Sequence, residues 1–201
     1  MNQQPNFLSD FRFRQPDWVA TVLPSSTHIY SSDEEKMRLA IDLARENVRR
    51  DTGGPFGAAI FNRDTGRLIA PGVNIVVPSC WCGGHAEMVV FALAQQLFQT
   101  HDLGGDGLPF CELFTSAEPC AMCLGATLWS GVRRLVCAAG DEDARRVGFD
   151  EGPKPADWVS ELEQRGIAVR RNVLKDKAVA VLNEYAGQGK PIYNARQHAS
   201  R

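Results

Sequence analysis

The sequence predicts an α/β sandwich built on one mixed sheet. Two observations carry this. Two strand-like runs separated by a short turn, "GPFGAAIFN", "RDTG" and "RLIAPGVNIVV", read as a hairpin. After them, helix-like and strand-like runs alternate to residue 186. A hairpin supplies antiparallel pairing and the alternation supplies parallel crossovers, so the sheet is mixed.

The elements follow in chain order. Residues 1–30 read as an extension with Pro5, Pro16, Pro24 and scattered aromatics, and with a short helix near Asp17 to Leu23. It is expected to pack on the body or on a sister subunit. The body, 31–186, opens on "SSDEEKMRLAIDLARENVRR". There Ser32 caps a helix with Glu35 as capping-box partner, and Met37, Ala40, Ile41, Ala44 and Val48 fall on one face. The hairpin comes next, its second strand running through "NIVV". A loop, "PSCWCGG", leads to a helix from His85 to Phe98. "CELFTSA" is a third strand, "CAMCLGATLWS" a helix after Pro119, and "RRLVCAA" a fourth strand. "DWVSELEQRG" reads as a helix, "IAVRRNV" as a strand and "KDKAVAVLNEYAG" as a last helix. Residues 187–201 form a polar tail.

Composition narrows the class of function. A chain of 201 residues suits one domain. The net charge of -2 gives no support to a nucleic-acid or membrane surface. No apolar run approaches the roughly 18 residues of a membrane span, and the first residues lack the basic-then-apolar pattern of an export signal. The expected location is cytoplasmic. There the six cysteines stay reduced, so close pairs serve metal binding or chemistry rather than disulfides.

One pair stands out. Cys120 and Cys123 follow Pro119 at the start of a predicted helix, and His85 precedes Glu87 at the start of another. One imidazole and two thiolates form a three-ligand zinc set with a fourth position open for water. Two helix N-termini favour negative charge there, and Glu87 is placed to move protons. Each half alone has bland readings: a redox or structural C-x-x-C, and a helix cap with a surface acid. Together, H-A-E followed by P-C-x-x-C is the zinc deaminase signature. Cys82 reads as a thiol near the pocket mouth, with a fourth-ligand or blocking role as the alternative. Cys111 and Cys137 read as buried small apolar residues.

At these residues the chain resembles the cytidine deaminase superfamily, over roughly Met37 to Tyr185. The resemblance implies a three-layer sandwich with a central mixed five-stranded sheet flanked by helices. It implies zinc on His85, Cys120 and Cys123, proton transfer by Glu87, and a substrate contact from the backbone N–H of Ala86. "GGPFGAAI", "GVNIVV", "PCAMCLGATLWSG" and "VGFDEGPKP" resemble the bacterial guanine deaminases within it. That branch implies Asn74 as a substrate amide and Glu151 as a second pocket acid that also protonates the leaving amine. Asp150 is the neighbouring alternative. Phe56 and Trp129 are implied as aromatic walls, and the tail around Tyr193 as a cover for the active site, across a homodimer in many members. The implied reaction is hydrolysis of guanine to xanthine and ammonia. Rival readings are a tRNA adenosine deaminase, a cytosine, pterin or triazine deaminase, and a catalytically silent interaction module that keeps zinc for stability.

Overall fold

The structure is a computed structural model that describes residues 11–195. Its elements, in order, are α1 (Trp18–Val22), α2 (Asp33–Arg49), β1 (Gly57–Asn62), β2 (Leu68–Val73), α3 (Val76–Ser79), α4 (Ala86–Phe98), β3 (Cys111–Ala117), α5 (Ala121–Ser130), β4 (Arg134–Ala139), α6 (Asp141–Arg146), α7 (Trp158–Glu163), β5 (Ala168–Arg170) and α8 (Lys175–Gly187). The five strands form one sheet in the order β2-β1-β3-β4-β5. β1 pairs antiparallel with β2 and β3, and β4 pairs parallel with β3 and β5. The sheet is therefore mixed, as expected.

Strand alternation builds the layers. In β1, Ala59 and Phe61 face one core, with residues of α2 and α8. Ala58 and Ile60 face the other, with residues of α4, Leu124 of α5 and the buried Cys111 and Cys137. A sheet covered on both faces has apolar strands throughout, which is why all seven residues of β3 are buried. Trp18, Val19 and Tyr30 belong to the first core, so the described part of residues 1–30 packs on the body of its own chain.

Three local expectations needed correction. The Ser32 hydroxyl does accept from the Glu35 N–H at 3.2 Å, but the Glu35 carboxylate bonds the N–H and hydroxyl of Ser31, one residue earlier than a capping box has it. The second hairpin strand stops at Val73 rather than running through Val77. The Asn74 carboxamide oxygen accepts from the Val76 N–H at 3.2 Å, a local turn that competes with the ladder and starts α3. Finally, α6 had no counterpart in the sequence reading, because six polar-rich residues carry no apolar period. It is held by the Asp143 carboxylate accepting from the Gly140 N–H at 2.8 Å.

Candidate active site

The two long helices on one face of the sheet begin at the same place. His85 is the N-cap of α4, Cys120 is the N-cap of α5, and Cys123 lies in the first turn of α5. His85 Nδ1 stands 3.5 Å from Cys120 Sγ and 3.5 Å from Cys123 Sγ. Zinc with ordinary Zn–N and Zn–S bonds and tetrahedral angles sets those edges at about 3.6 Å, so the three donors fit the ion. They are the one His/Cys/Asp/Glu cluster of metal-binding geometry among the described residues.

The chemistry of the donors agrees. The hydrogen bond from Cys123, followed by that to His85, holds the Cys120 thiol down at about 4. The hydrogen bond to Cys120 and then burial push Cys123 well up. A dication bound by both sulfurs removes that conflict, since each thiolate then faces positive charge. Cys82 is not part of the cluster; it lines the mouth of the pocket, as the sequence suggested.

A cavity of about 250 Å³ opens over the donors. Glu87, in the first turn of α4, lines it and is only 7% exposed. Burial and then the Cys120 charge raise its pKa. Glu151 enters from the loop after α6 and is 6% exposed; burial, then Cys120 and Glu87, raise it to about 8. This loop is stitched to the metal helix, because the Ala121 N–H donates to the Glu151 carbonyl at 2.9 Å. Two acids with raised pKa values beside a cluster of metal-donor side chains mark a functional site on physical grounds.

The remaining expected residues divide. Phe56 and Asn74 line the cavity, and Phe56 meets Phe149 edge to face with centroids 4.9 Å apart. Tyr193 also lines it; the Asn74 Nδ2 donates to its hydroxyl at 2.7 Å. The cover is thus formed by the chain's own tail. The Tyr185 hydroxyl donates to the Pro191 carbonyl, and Asn194 bridges the Asp150 N–H and the Gly148 carbonyl. The Tyr193 ring approaches so closely that a Cβ on Gly54 would lie 2.7 Å from its hydroxyl. Ala86 is buried as the first residue of α4, where a backbone N–H has no partner within the helix. Asp150 lines the rim, but its side chain is 68% exposed and accepts from the Gly152 N–H.

Trp129 does not join them. It is 84% exposed and lies outside the cavity. The reason is geometric: nine residues after the N-cap of α5, it sits about 13 Å along the helix axis from Cys120. The expectation of an aromatic wall from Trp129 is therefore corrected; Phe149 takes that place. Phe149, Val76, Glu118 and Asn194 also line the cavity and were not singled out as site residues. For Phe149 the signal was its position directly before the two acids.

A family model described as the cytidine and deoxycytidylate deaminase zinc-binding region matches residues 30–139, a span holding all three donors and Glu87. The chain belongs to the cytidine and deoxycytidylate deaminase family. It is a zinc-dependent hydrolytic deaminase by that membership. Within this family it is 40% identical over 118 residues to a guanine deaminase of Bacillus subtilis, covering 59% of this chain and 71% of that protein. It is 30% identical over 145 residues to a probable cytosine deaminase of Schizosaccharomyces pombe, covering 72% and 83%. A solved guanine deaminase structure from Nitrosomonas europaea superposes with a TM-score of 0.84 at 45% identity, over 90% of this chain and 98% of that one. Among the described residues no helix is long and apolar enough to cross a membrane.

Proposed function

We propose that this deaminase hydrolyses guanine to xanthine and ammonia. The observation that carries the reading is Glu151: a second buried acid, on a loop outside the matched zinc region, brought into one cavity with Glu87 and the metal donors. Guanine presents two donors side by side, the N1–H and the C2 amino group. One carboxylate can accept both at once. Adenine presents a bare N1 acceptor there, which a carboxylate repels.

His85, Cys120 and Cys123 hold zinc, which when bound supplies a water acidic enough to attack at neutral pH. Phe56, Phe149 and Tyr193 flank the ring and shut out bulk water. Asn74 gives one Nδ2 proton to Tyr193 and keeps the other for an acceptor on the base. The N–H of Ala86, at the positive end of α4 between His85 and Glu87, is a second candidate donor to the base. Glu87 takes the proton of the attacking water and passes it to the ring nitrogen next to C2, N3. Glu151 orients the base as a carboxylate; as the C2–N bond breaks it takes the remaining water proton from the C2 hydroxyl and gives it to the amine, which departs as ammonia.

The protein works as a homodimer in this reading. Met122, Gly125 and Trp129 recur at helical spacing on α5 and form an apolar stripe away from the core. Trp129 is the exposed anchor, and nothing lies within 4 Å of a Cβ placed on Gly125. A second copy of the same stripe can approach closely at Gly125. The test of the substrate is ammonia release from guanine, adenine, cytosine, their nucleosides and tRNA. Guanine alone should react well; preferential release from cytosine or tRNA would replace this reading, and release from none would leave a silent zinc module.

A further inference from the structure

Behind the pocket wall runs a chain of hydrogen bonds that begins in the N-terminal segment. Trp18 of α1 donates its indole N–H to Thr52 Oγ1 at 3.0 Å. Thr52 donates to Asn47 Oδ1 at 2.8 Å. Asn47, with no exposed surface inside α2, gives its two Nδ2 protons to the carbonyls of Gly54 and Asn74, each at 2.8 Å. The direction is fixed throughout. An indole can only donate and carbonyls can only accept, so the Thr52 proton and the Asn47 carboxamide each have one orientation.

The last link is at the cavity. Asn74 lines it and holds Tyr193 through its side chain. Its backbone carbonyl is packed so tightly that a Cβ on Gly53 would lie 1.9 Å from it. The N-terminal segment also grips this wall at two other points. The Gln15 carboxamide donates to the Pro71 carbonyl and accepts from the Val73 N–H, both at 3.1 Å, imitating a neighbouring strand on the open edge of β2. Phe11 and Phe13 pack on Trp81, with centroids 5.1 and 5.7 Å away, in the loop that carries Cys82 to the pocket mouth.

We propose that Asn47 is a positioning residue that sets where the Asn74 carboxamide stands, and that residues 11–18 are the strap that locks it through Trp18 and Thr52. A buried carboxamide with every donor and acceptor used has one low-energy arrangement; removing one partner leaves an uncompensated polar group and frees alternatives. The consequence is specific to substrate binding. The metal donors sit on α4 and α5, and none of the links touches them. This rests on the reading of Asn74 as a substrate amide.

The experiment uses the full chain with Thr52→Val and Trp18→Phe, which remove a hydroxyl and an N–H while keeping most of the shape. Each should raise KM for guanine by about three- to tenfold, the scale of one lost hydrogen bond, with kcat and bound zinc near the parent values. In an Asn74→Ala background the same substitutions should leave KM unchanged, while any loss of melting temperature persists. A KM effect of equal size in both backgrounds, or none in the parent, overturns the proposal. Hydrogen exchange over residues 72–84 gives a readout that needs no substrate. Should the parent protein leave guanine untouched, the substrate reading falls, and exchange alone judges the strap: local acceleration in Thr52→Val upholds it, and unchanged exchange overturns it.

Discussion

Glu151 and Asp150 are neighbours with opposite surroundings. Glu151 is enclosed beside Glu87, whereas the Asp150 carboxylate caps its own turn at the Gly152 N–H and faces solvent. Glu151→Gln keeps the size and loses the proton transfer and half the accepting capacity. Guanine turnover should fall by about 10²–10⁴-fold with zinc content unchanged, while Asp150→Asn should stay near the parent rate. Inactivity of the second and activity of the first would move the assignment by one residue. Cys82 offers a second test at this scale. Cys82→Ser should retain one zinc per chain and most activity, because the thiol is outside the donor cluster; metal loss on this change would mean four protein ligands and no open position. The donors were legible in the sequence because metal chemistry restricts residue type and spacing together. Trp129 was misread because an aromatic in a short helix looks the same in sequence whether it lines a pocket or faces outward. Asn47 was not singled out because its partners, Thr52, Gly54 and Asn74, meet it only when the chain folds.

At the scale of elements, the sheet is tied to its helices by an ion network at the end away from the metal donors. Glu112, the second residue of the central strand β3 and without exposed surface, pairs with Lys36 of α2 and, at 2.8 Å, with Arg134 of β4. Arg134 and Arg170 of β5 both reach Asp33 at the start of α2, and these two arginines hold its carboxyl down at about 2 against the penalty of burial. The Lys36 ammonium also lies 5.7 and 5.8 Å from the ring centroids of Phe61 and Phe114. Glu112→Leu strands a buried ammonium, so denaturant unfolding should lose about 3–5 kcal/mol. Zinc content and kcat per folded molecule should hold. A loss below roughly 1 kcal/mol would make this an ordinary surface-like pair. The elements themselves were readable where a period ran long, as in α2, α4 and α8. The ends were not: β2 yields to a side-chain turn at Asn74, and β5 keeps only three residues because it is an edge strand paired on one side. The Glu112 network was hidden because its partners are set by strand register and helix packing.

For the whole molecule, α5 links the metal site to the proposed dimer contact. Its first turn carries the sulfur donors and its outer face carries the apolar stripe ending in Trp129. Trp129→Glu would place like charges against each other across the proposed two-fold contact. Sedimentation should find the parent protein dimeric and this variant monomeric, with the zinc content of each chain unchanged. A parent that stays monomeric at high concentration would contradict the dimer. The tail leaves each pocket covered by its own chain, so loss of the dimer should leave the cavity cover in place. In the proposed function three donors from two helix starts, with Glu87 and Glu151, make a zinc-dependent guanine hydrolase. The most direct measurement follows guanine consumed, xanthine formed and ammonia released by zinc-loaded protein, by chelator-stripped protein, and by the stripped protein after zinc is restored. Expected are one xanthine and one ammonia per guanine, loss of both on stripping, and recovery with about one zinc per chain. Full turnover by the stripped protein, or no xanthine from the zinc-loaded one, would contradict it.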